Sequence, residues 1–217
     1  IKKIKNTPIR KINKKLQESL IFPKYSKSHF DKNIRFNALN KKRIINFKTS
    51  WNSKKYGKLW LYNLHYFDFL NSKVNYHKKD FYLGVIHKWI EHNLLEISVG
   101  WEPYPTSLRL VNFVKFLIHN QINDEKINVS ISLQIQILSK KIEKHILGNH
   151  LIANSKALIY VGFYLADPVG KNYLLKGINL LNAELDKQIL DDGGHFELST
   201  MYHNIVLNDL LDIIKIM

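Results

Sequence analysis

The sequence predicts an all-α protein, and three of its features support this prediction. Apolar and aromatic residues recur at helical spacing from Trp51 onward, strand-like alternation is nearly absent, and short loops join the predicted helices. Of the 217 residues, 45% are hydrophobic and 12% aromatic, which is enough apolar surface to form a core. A disordered chain is therefore excluded, and we expect many rings to be buried or to line a cleft.

Residues 1–50 differ in composition from the rest of the chain. They are polar and basic with scattered apolar positions, which predicts an N-terminal arm with short helices, followed by one helical domain over residues 51–217. Lys and Arg outnumber Asp and Glu by 33 to 18, giving a net charge of +15. Such a charge favours polyanionic partners, but a genome-wide preference for Lys, Ile and Asn gives the same composition.

The helical domain is predicted to contain seven helices. Apolar residues at helical spacing predict the first two, at about residues 59–70 and 81–94. Two prolines, Pro103 and Pro105, interrupt the periodicity, so Thr106 or Ser107 is expected to cap the third helix. The third to sixth helices are predicted at Leu108–His119, Ser130–Ile146, Leu151–Leu165 and Tyr173–Leu190, and the last from Ser199 or Thr200 to Met217. The last helix has no stop signal, which predicts that the domain is truncated at this end.

Several classes of function lack their sequence signals here. The chain has no cysteine, so disulfides, thiolate metal sites and cysteine nucleophiles are excluded. Nucleotide-binding, serine-hydrolase and metalloprotease motifs are missing, and His195-Phe196-Glu197 resembles only part of a metal motif, so we expect no metal and no cofactor. No apolar run approaches the ~20 residues of a membrane span, and no helix carries clustered Arg or Lys, so neither membrane insertion nor nucleic-acid binding is expected.

A first group of candidate residues lies at the start of the fifth helix. Gly148, Asn149 and His150 precede an apolar segment in which Asn154 is the next polar residue of interest. His150 and Asn154 are four residues apart and share one helix face, and a polar stripe on a buried helix needs partners or a cavity. The alternative is that Asn149 caps the helix and His150 bonds to a neighbour.

A second group lies in residues 191–203, which contain six ionisable side chains and two glycines. His195 and Glu197 precede the last helix, while Tyr202 and His203 fall in its first turn. The positive end of the helix dipole there stabilises a phenolate. The alternative is that the segment forms a turn and a helix cap, with Tyr202 in the core.

A third group combines polar-tipped rings with one arginine. Such rings stack on sugar faces, and a guanidinium binds carboxylate or sulfate through two hydrogen bonds. The alternative is an aromatic core in which a buried Arg109 pairs with Glu102. The candidate residues are Asn63, His65, Tyr66, Trp101, Tyr104 and Arg109.

Four sequence blocks together resemble the N-terminal helical domain of heparinase II/III polysaccharide lyases and related alginate lyases. They are WLYNLHYFDFL, GWEPYPTSLRLVNFVKF, GNHLIANSKAL and DDGGHFELSTMYHNIVLNDLLDII, between about Trp60 and Asp212. The resemblance implies an incomplete (α/α) toroid of helical hairpins that binds an acidic glycan. It also implies a C-terminal β-sandwich domain, which we expect to be missing from this chain. The bacterial subgroup associated with surface polysaccharides is the most similar, which favours a periplasmic or cell-envelope location and leaves a cytoplasmic one open.

The resemblance also assigns roles to individual residues. Asn149 and His150 match positions that neutralise a uronate carboxylate, Tyr202 matches the general acid and base of β-elimination, and Glu197 matches a pocket glutamate. His203, Asn154, His195 and the third group are expected to bind substrate. A histidine that the family takes from its C-terminal domain has no counterpart here, so this stretch alone is expected to be an incomplete catalyst. The alternative function is a non-catalytic module that binds acidic glycan or assists surface-polysaccharide assembly.

Overall fold

The computed structural model describes residues 8–11, 14–20, 26–31, 34–71, 78–93, 98–144, 146 and 148–217. Most of these residues are helical, which confirms the predicted all-α class. The helices are α1 Lys14–Ser19, α2 Lys58–Tyr66, α3 Lys79–His92, α4 Pro103–His119, α5 Glu125–Lys140, α6 Asn149–Tyr164, α7 Val169–Gln188 and α8 Thr200–Ile216. Leu94, at the end of the second predicted helix, and residues 1–7, 12–13 and 21–25 of the predicted arm lie outside the described residues.

A small antiparallel sheet in the N-terminal region is the largest difference from the predicted fold. Its strands β1 (His29–Asp31), β2 (Arg35–Ala38) and β3 (Lys41–Ile44) pair in chain order, where the sequence predicted only short helices. Phe30 and Phe36 are opposite each other in the register and both pack against Phe69. Strands of three or four residues are too short to show alternation, so burial of these rings against the helical domain determines the sheet.

Four predicted helix starts were late, and one of them is α7, which begins at Val169 rather than Tyr173. The other three were late because a local signal was misread. Helix α4 begins at Pro103, since proline at the first helical position needs no N–H partner. Helix α5 begins after Asp124, whose carboxylate accepts from the backbone N–H of Ile127 at 3.0 Å, so the predicted Ser130 start was late. Helix α6 begins at Asn149, but its N-cap is Gly148, with φ +87°, rather than Asn149 itself.

Helix α6 lies at the centre of the helical domain and is buried along almost its whole length. It packs against α4, α7 and α8. Gly162 and Gly177 let α6 and α7 approach closely, because a Cβ at either position would collide with the facing helix backbone. Within the part of the chain that the structure describes, no helix is long and apolar enough to span a membrane.

Helices α4, α6 and α8 are parallel to one another, and the connecting helices α5 and α7 are antiparallel to them. Contacts along the three helices follow the same order: Tyr104 meets Asn149 near the starts of α4 and α6, whereas Lys115 and Lys156 meet Asp212 further along. The N-termini of all three helices therefore lie at one end of the domain. This arrangement brings together residues that are far apart in sequence.

Candidate active site

The starts of α4 and α6 are joined directly by their side chains. The Asn149 side-chain amide donates to the Tyr104 hydroxyl at 3.3 Å. The His150 ring stacks on the Tyr104 ring, with centroids 4.1 Å apart and planes inclined by 22°. Asn149 and His150 are the first two residues of α6, so both lie where free backbone N–H groups and the helix dipole favour an anion.

The start of α8 meets the same end of α6. The Glu197 carboxylate occupies the space that a Cβ on Gly148 would need, so Glu197 lies against the first residues of α6. Ser199 is the N-cap of α8 and Tyr202 follows in its first turn, partly exposed. We call this meeting point of three helix starts the N-terminal junction; its residues are Tyr104, Asn149, His150, Glu197 and Tyr202.

The pKa of Tyr104 is set by the groups that surround it at the junction. Burial raises this pKa well above its ordinary value, and the carboxylates of Asp209 and Asp68 raise it further, whereas the hydrogen bond from Asn149 lowers it. The smallest contribution comes from Tyr202, in the first turn of α8. Because burial disfavours its anion, Tyr104 stays a neutral hydroxyl that accepts from Asn149.

Gln188 holds the segment before α8 against the start of α6. Its side-chain amide donates to the Gly148 carbonyl at 3.0 Å, and its amide oxygen accepts from His195 Nε2 at 3.1 Å. Burial lowers the pKa of His195, as does His203, while Glu197 acts in the opposite direction. His195 is buried and its Nε2 positions the segment before α8, while its Nδ1 has no hydrogen-bond partner among the described residues. Substrate contact by His195 stays a prediction. Neither the residue type of Gln188 nor its position seven residues before His195 indicated the hydrogen bond between the two.

His150 is oriented by a carboxylate that the sequence did not identify. Its Nδ1 donates to Glu143 Oε2 at 3.2 Å, and Glu143 is buried. The Glu143 backbone N–H in turn donates to the Asn154 side chain at 3.2 Å, while the Asn154 amide donates to Ser107 at 3.0 Å. Asn154 is fully buried and bonded to protein at both ends. Asn154 therefore fixes Glu143, which orients His150. This corrects the expectation that Asn154 binds substrate.

Arg109 and His65 lie in the aromatic core rather than at the junction. Both are 0% exposed. Arg109 donates to Gln134 and to the Gly100 carbonyl, each at 2.8 Å, and its guanidinium lies 4.0 Å from the centroid of the Trp89 ring. The expectation that Arg109 binds a glycan anion was wrong. The alternative, a buried Arg109 in an aromatic core, was correct except for its partner, because Glu102 bonds to Tyr62 and Lys58 instead.

His65 is held as a neutral ring by its two partners. Its Nδ1 accepts from the Trp89 indole at 2.9 Å, so its Nε2 carries the proton and donates to the Trp51 carbonyl at 2.9 Å. Burial, followed by repulsion from Arg109, lowers the pKa of His65 to about 3. This histidine has a structural role.

Two further members of the third group are also bonded within the protein. The Trp101 indole donates to the Asn93 carbonyl at 3.2 Å, and the Asn63 amide donates to the Leu59 carbonyl at 2.8 Å. Both side chains are buried, and substrate contact by them stays a prediction. Tyr66 differs, because it is partly exposed and its ring meets the Tyr104 ring edge to face at 5.9 Å.

Metal ligation does not arise from these groups. Among the described residues, no three or more His, Asp or Glu side chains are grouped so that they could hold a metal ion. The N-terminal junction presents the Asn149 amide, the partly exposed His150 ring, helix N–H groups and the partly exposed Tyr202 phenol.

Comparison with known proteins agrees with this geometry. A family model described as Heparinase II/III N-terminus matches residues 3–217, almost the whole chain. The chain belongs to the heparinase II/III family. A heparin-sulfate lyase from Bacteroides stercoris is 34% identical over 62 residues. That stretch covers 28% of this chain and 9% of the relative. No solved structure matches the chain.

Membership of the heparinase II/III family makes the chain part of a polysaccharide lyase family with a helical N-terminal domain. It agrees with the resemblance carried by the four sequence blocks. The reaction and substrate of this chain are proposals that depend on the N-terminal junction.

Proposed function

We propose that this heparinase II/III family chain binds a uronate-containing polysaccharide at the N-terminal junction and contributes to its cleavage by β-elimination. The observation that carries the proposal is the meeting of three helix starts. The starts of α6 and α8 carry N–H groups without intrahelical partners and a positive partial charge, so together they favour a carboxylate. Helix α4, which begins with Pro103 and Pro105, contributes the Tyr104 side chain instead. The net charge of +15 also attracts a polyanionic chain.

In the proposed reaction, the proton on C5 of the uronate is removed, the C4–O bond breaks and a C4–C5 double bond forms. The Asn149 amide and Nε2 of a His150 imidazolium, whose Nδ1 donates to Glu143, donate hydrogen bonds to the carboxylate as it takes up enolate charge. Tyr202 removes the proton as a phenolate and then, as a phenol, gives a proton to the departing glycosidic oxygen. Charge and atoms balance, since the double bond forms as the leaving oxygen is protonated.

Other residues near the junction are proposed to hold the glycan. Tyr66 and Tyr104 are partly exposed rings that a sugar face could cover, and Glu197 is an exposed acceptor for sugar hydroxyls. His203 is partly exposed beside His195 and supplies a second cationic group when protonated. On this proposal, the helical hairpins form an incomplete (α/α) toroid. A β-sandwich domain of the same polypeptide adds the remaining histidine of the site.

The test is formation of an unsaturated uronate, followed by ultraviolet absorbance. Heparin sulfate is the first substrate to try, because the Bacteroides relative is named a heparin-sulfate lyase, and alginate is the second. We expect absorbance to rise with the intact protein and Tyr202→Phe to lower the rate by about a thousandfold, because the acid and base is lost. Tyr173→Phe on α7 is the matched control and should leave the rate unchanged.

Binding and turnover separate the possible outcomes. Unchanged turnover in a folded Tyr202→Phe variant would contradict the role of this tyrosine. Salt-sensitive binding of the polysaccharide without any new absorbance would instead favour the non-catalytic module for glycan binding or assembly. Calorimetric titration of wild type and the Tyr202 variant with the same polysaccharide distinguishes these results.

A further inference from the structure

A cavity of about 150 Å³ lies between α4, α6 and α8, deeper in the domain than the N-terminal junction. A cavity that holds a single buried water has a volume of roughly 15 Å³. This cavity is larger and has room for one sugar ring with its hydroxyls. Its polar side chains lie within the four sequence blocks, but none of them had a predicted role. They are Asp68, Asn112, Lys115, Lys156, Asp209 and Asp212.

Four of these side chains form a continuous ion chain, which we define as Lys115, Asp212, Lys156 and Asp209. Asp212 Oδ2 accepts from Lys115 Nζ at 2.6 Å and from Lys156 Nζ at 2.7 Å. Lys156 Nζ also reaches Asp209 Oδ1 at 2.8 Å. The two cations and two carboxylates of the ion chain balance each other, and the cavity is also lined by the Asp68 carboxyl, whose pKa is raised by burial. The cavity is therefore strongly polar without a net positive charge that would select an anion.

One atom of the ion chain lacks a partner. Asp212 is 8% exposed, and its Oδ1 has no hydrogen-bond partner among the described residues. A buried carboxylate oxygen without a donor is costly, and a hydroxyl in the cavity would supply that donor. Burial also lowers the pKa of Lys115 to about 8, with Lys156 adding to the effect, so the site is already partly desolvated.

The cavity lies one to two helical turns beyond the N-terminal junction along α4, α6 and α8. Leu108 follows Tyr104 by one turn of α4, and Ala153 follows Asn149 by one turn of α6. Asp209 follows Tyr202 by two turns of α8, and its charge acts on Tyr104. A ligand bound at the junction could therefore extend into the cavity.

We propose that this cavity is a subsite for a neutral, hydroxyl-rich sugar unit that adjoins the acidic unit held at the N-terminal junction. The carboxylates of Asp209 and Asp212 accept hydrogen bonds from its hydroxyls, and the ammonium groups of Lys115 and Lys156 donate to its oxygens. The assignment of that unit to a cleaved polysaccharide rests on the proposed function, but binding of a sugar in the cavity does not.

Two probes test the subsite separately from the junction. Titration with methyl α-D-glucopyranoside, followed by NMR of the backbone amides, should shift Ala153, Lys156 and Asp209, whereas sodium sulfate should shift Asn149 and His150. Ala153→Leu places a larger side chain in the cavity and leaves all four charges in place. We expect it to weaken sugar binding by about tenfold or more and to leave sulfate binding unchanged. Ala183→Leu, on the exposed side of α7, is the matched control.

Asp212→Asn tests the unpaired oxygen, with Asp186→Asn on exposed α7 as its control. Because Asp212 binds two lysines, the thermal stability of this variant must be measured together with its sugar titration. The sugar-induced amide shifts of the wild-type protein do not depend on this variant. The absence of sugar-induced shifts around the cavity, or sugar binding unaffected by Ala153→Leu, would overturn the subsite even if polysaccharide turnover is observed. Sugar binding that Ala153→Leu weakens, in a protein without turnover, would leave the subsite intact and reject the lyase proposal.

Discussion

The buried network around Arg109 and the N-terminal junction contain similar side chains but differ in exposure and pairing. In the network, both nitrogens of His65 and the guanidinium of Arg109 are bonded to protein groups, and neither residue is exposed. At the junction, His150 uses one ring nitrogen for Glu143 and stays partly exposed. The difference teaches that a histidine or arginine among aromatic residues is structural when protein groups satisfy its polar atoms. It is available for a ligand when a helix start leaves it partly open.

The largest effect on stability is expected from Arg109→Met. The variant leaves Gln134 Oε1 without a donor in the core, removes the shorter of two hydrogen bonds to the Gly100 carbonyl and removes the contact with Trp89. We expect the free energy of unfolding to fall by about 3–5 kcal/mol, measured by urea denaturation. Lys171→Met, on an exposed face of α7, should change it by less than about 0.5 kcal/mol. Similar stability of the two variants would mean that Arg109 does not hold the core together.

A somewhat smaller effect is expected from acid, through His65. Its pKa is about 3 in the folded protein, chiefly because of burial, and about 6.5 in an unfolded chain. Between these values only the unfolded chain binds the extra proton. The stability that His65 contributes is thus complete above pH ~6.5 and is lost as pH falls toward ~3. We expect a loss of about 3 kcal/mol by pH ~4.

The measurement for His65 combines urea denaturation across this pH range with NMR of the histidine rings. The His65 ring should stay neutral in folded protein at pH ~5, and His203→Gln, which alters a partly exposed ring, should keep the same pH slope. A His65 ring that titrates near pH ~6.5 in the folded protein would show that the network does not exclude the proton.

The smallest effect on stability is expected at the junction, from His150→Ala. The ring is partly exposed and bonds to Glu143 through one nitrogen, so we expect the free energy of unfolding to change by about 1 kcal/mol or less. Polysaccharide turnover should nevertheless fall by about a hundredfold, since a donor to the carboxylate is lost. His92→Ala on α3 is the control for turnover. A His150→Ala variant that unfolds like Arg109→Met would place this histidine with the structural network.

Helical spacing was enough to predict the helices but not where several of them begin. Periodic apolar residues located α2, α3 and α6, because burial of one helix face leaves a repeating pattern in the sequence. The start of α4 was misplaced because Pro103 was interpreted as a helix breaker, although proline fits the first helical turn. The N-terminal sheet left no pattern at all, since its position depends on the aromatic residues that cover Phe30 and Phe36.

The sequence by itself determined the all-α class, the family and the pairing of Asn149 with His150 at a helix start, because each depends on neighbouring residues. Only the tertiary structure decided which polar residues face the junction and which are buried. Contacts with residues more than twenty positions away in the sequence hold Arg109 and His65 in the aromatic core, away from the junction. Glu143, Gln188 and the ion chain were brought to functional positions by the packing of α4, α6 and α8. Local sequence reports which face of a helix is buried, whereas the partner of a buried polar group depends on how separate helices pack.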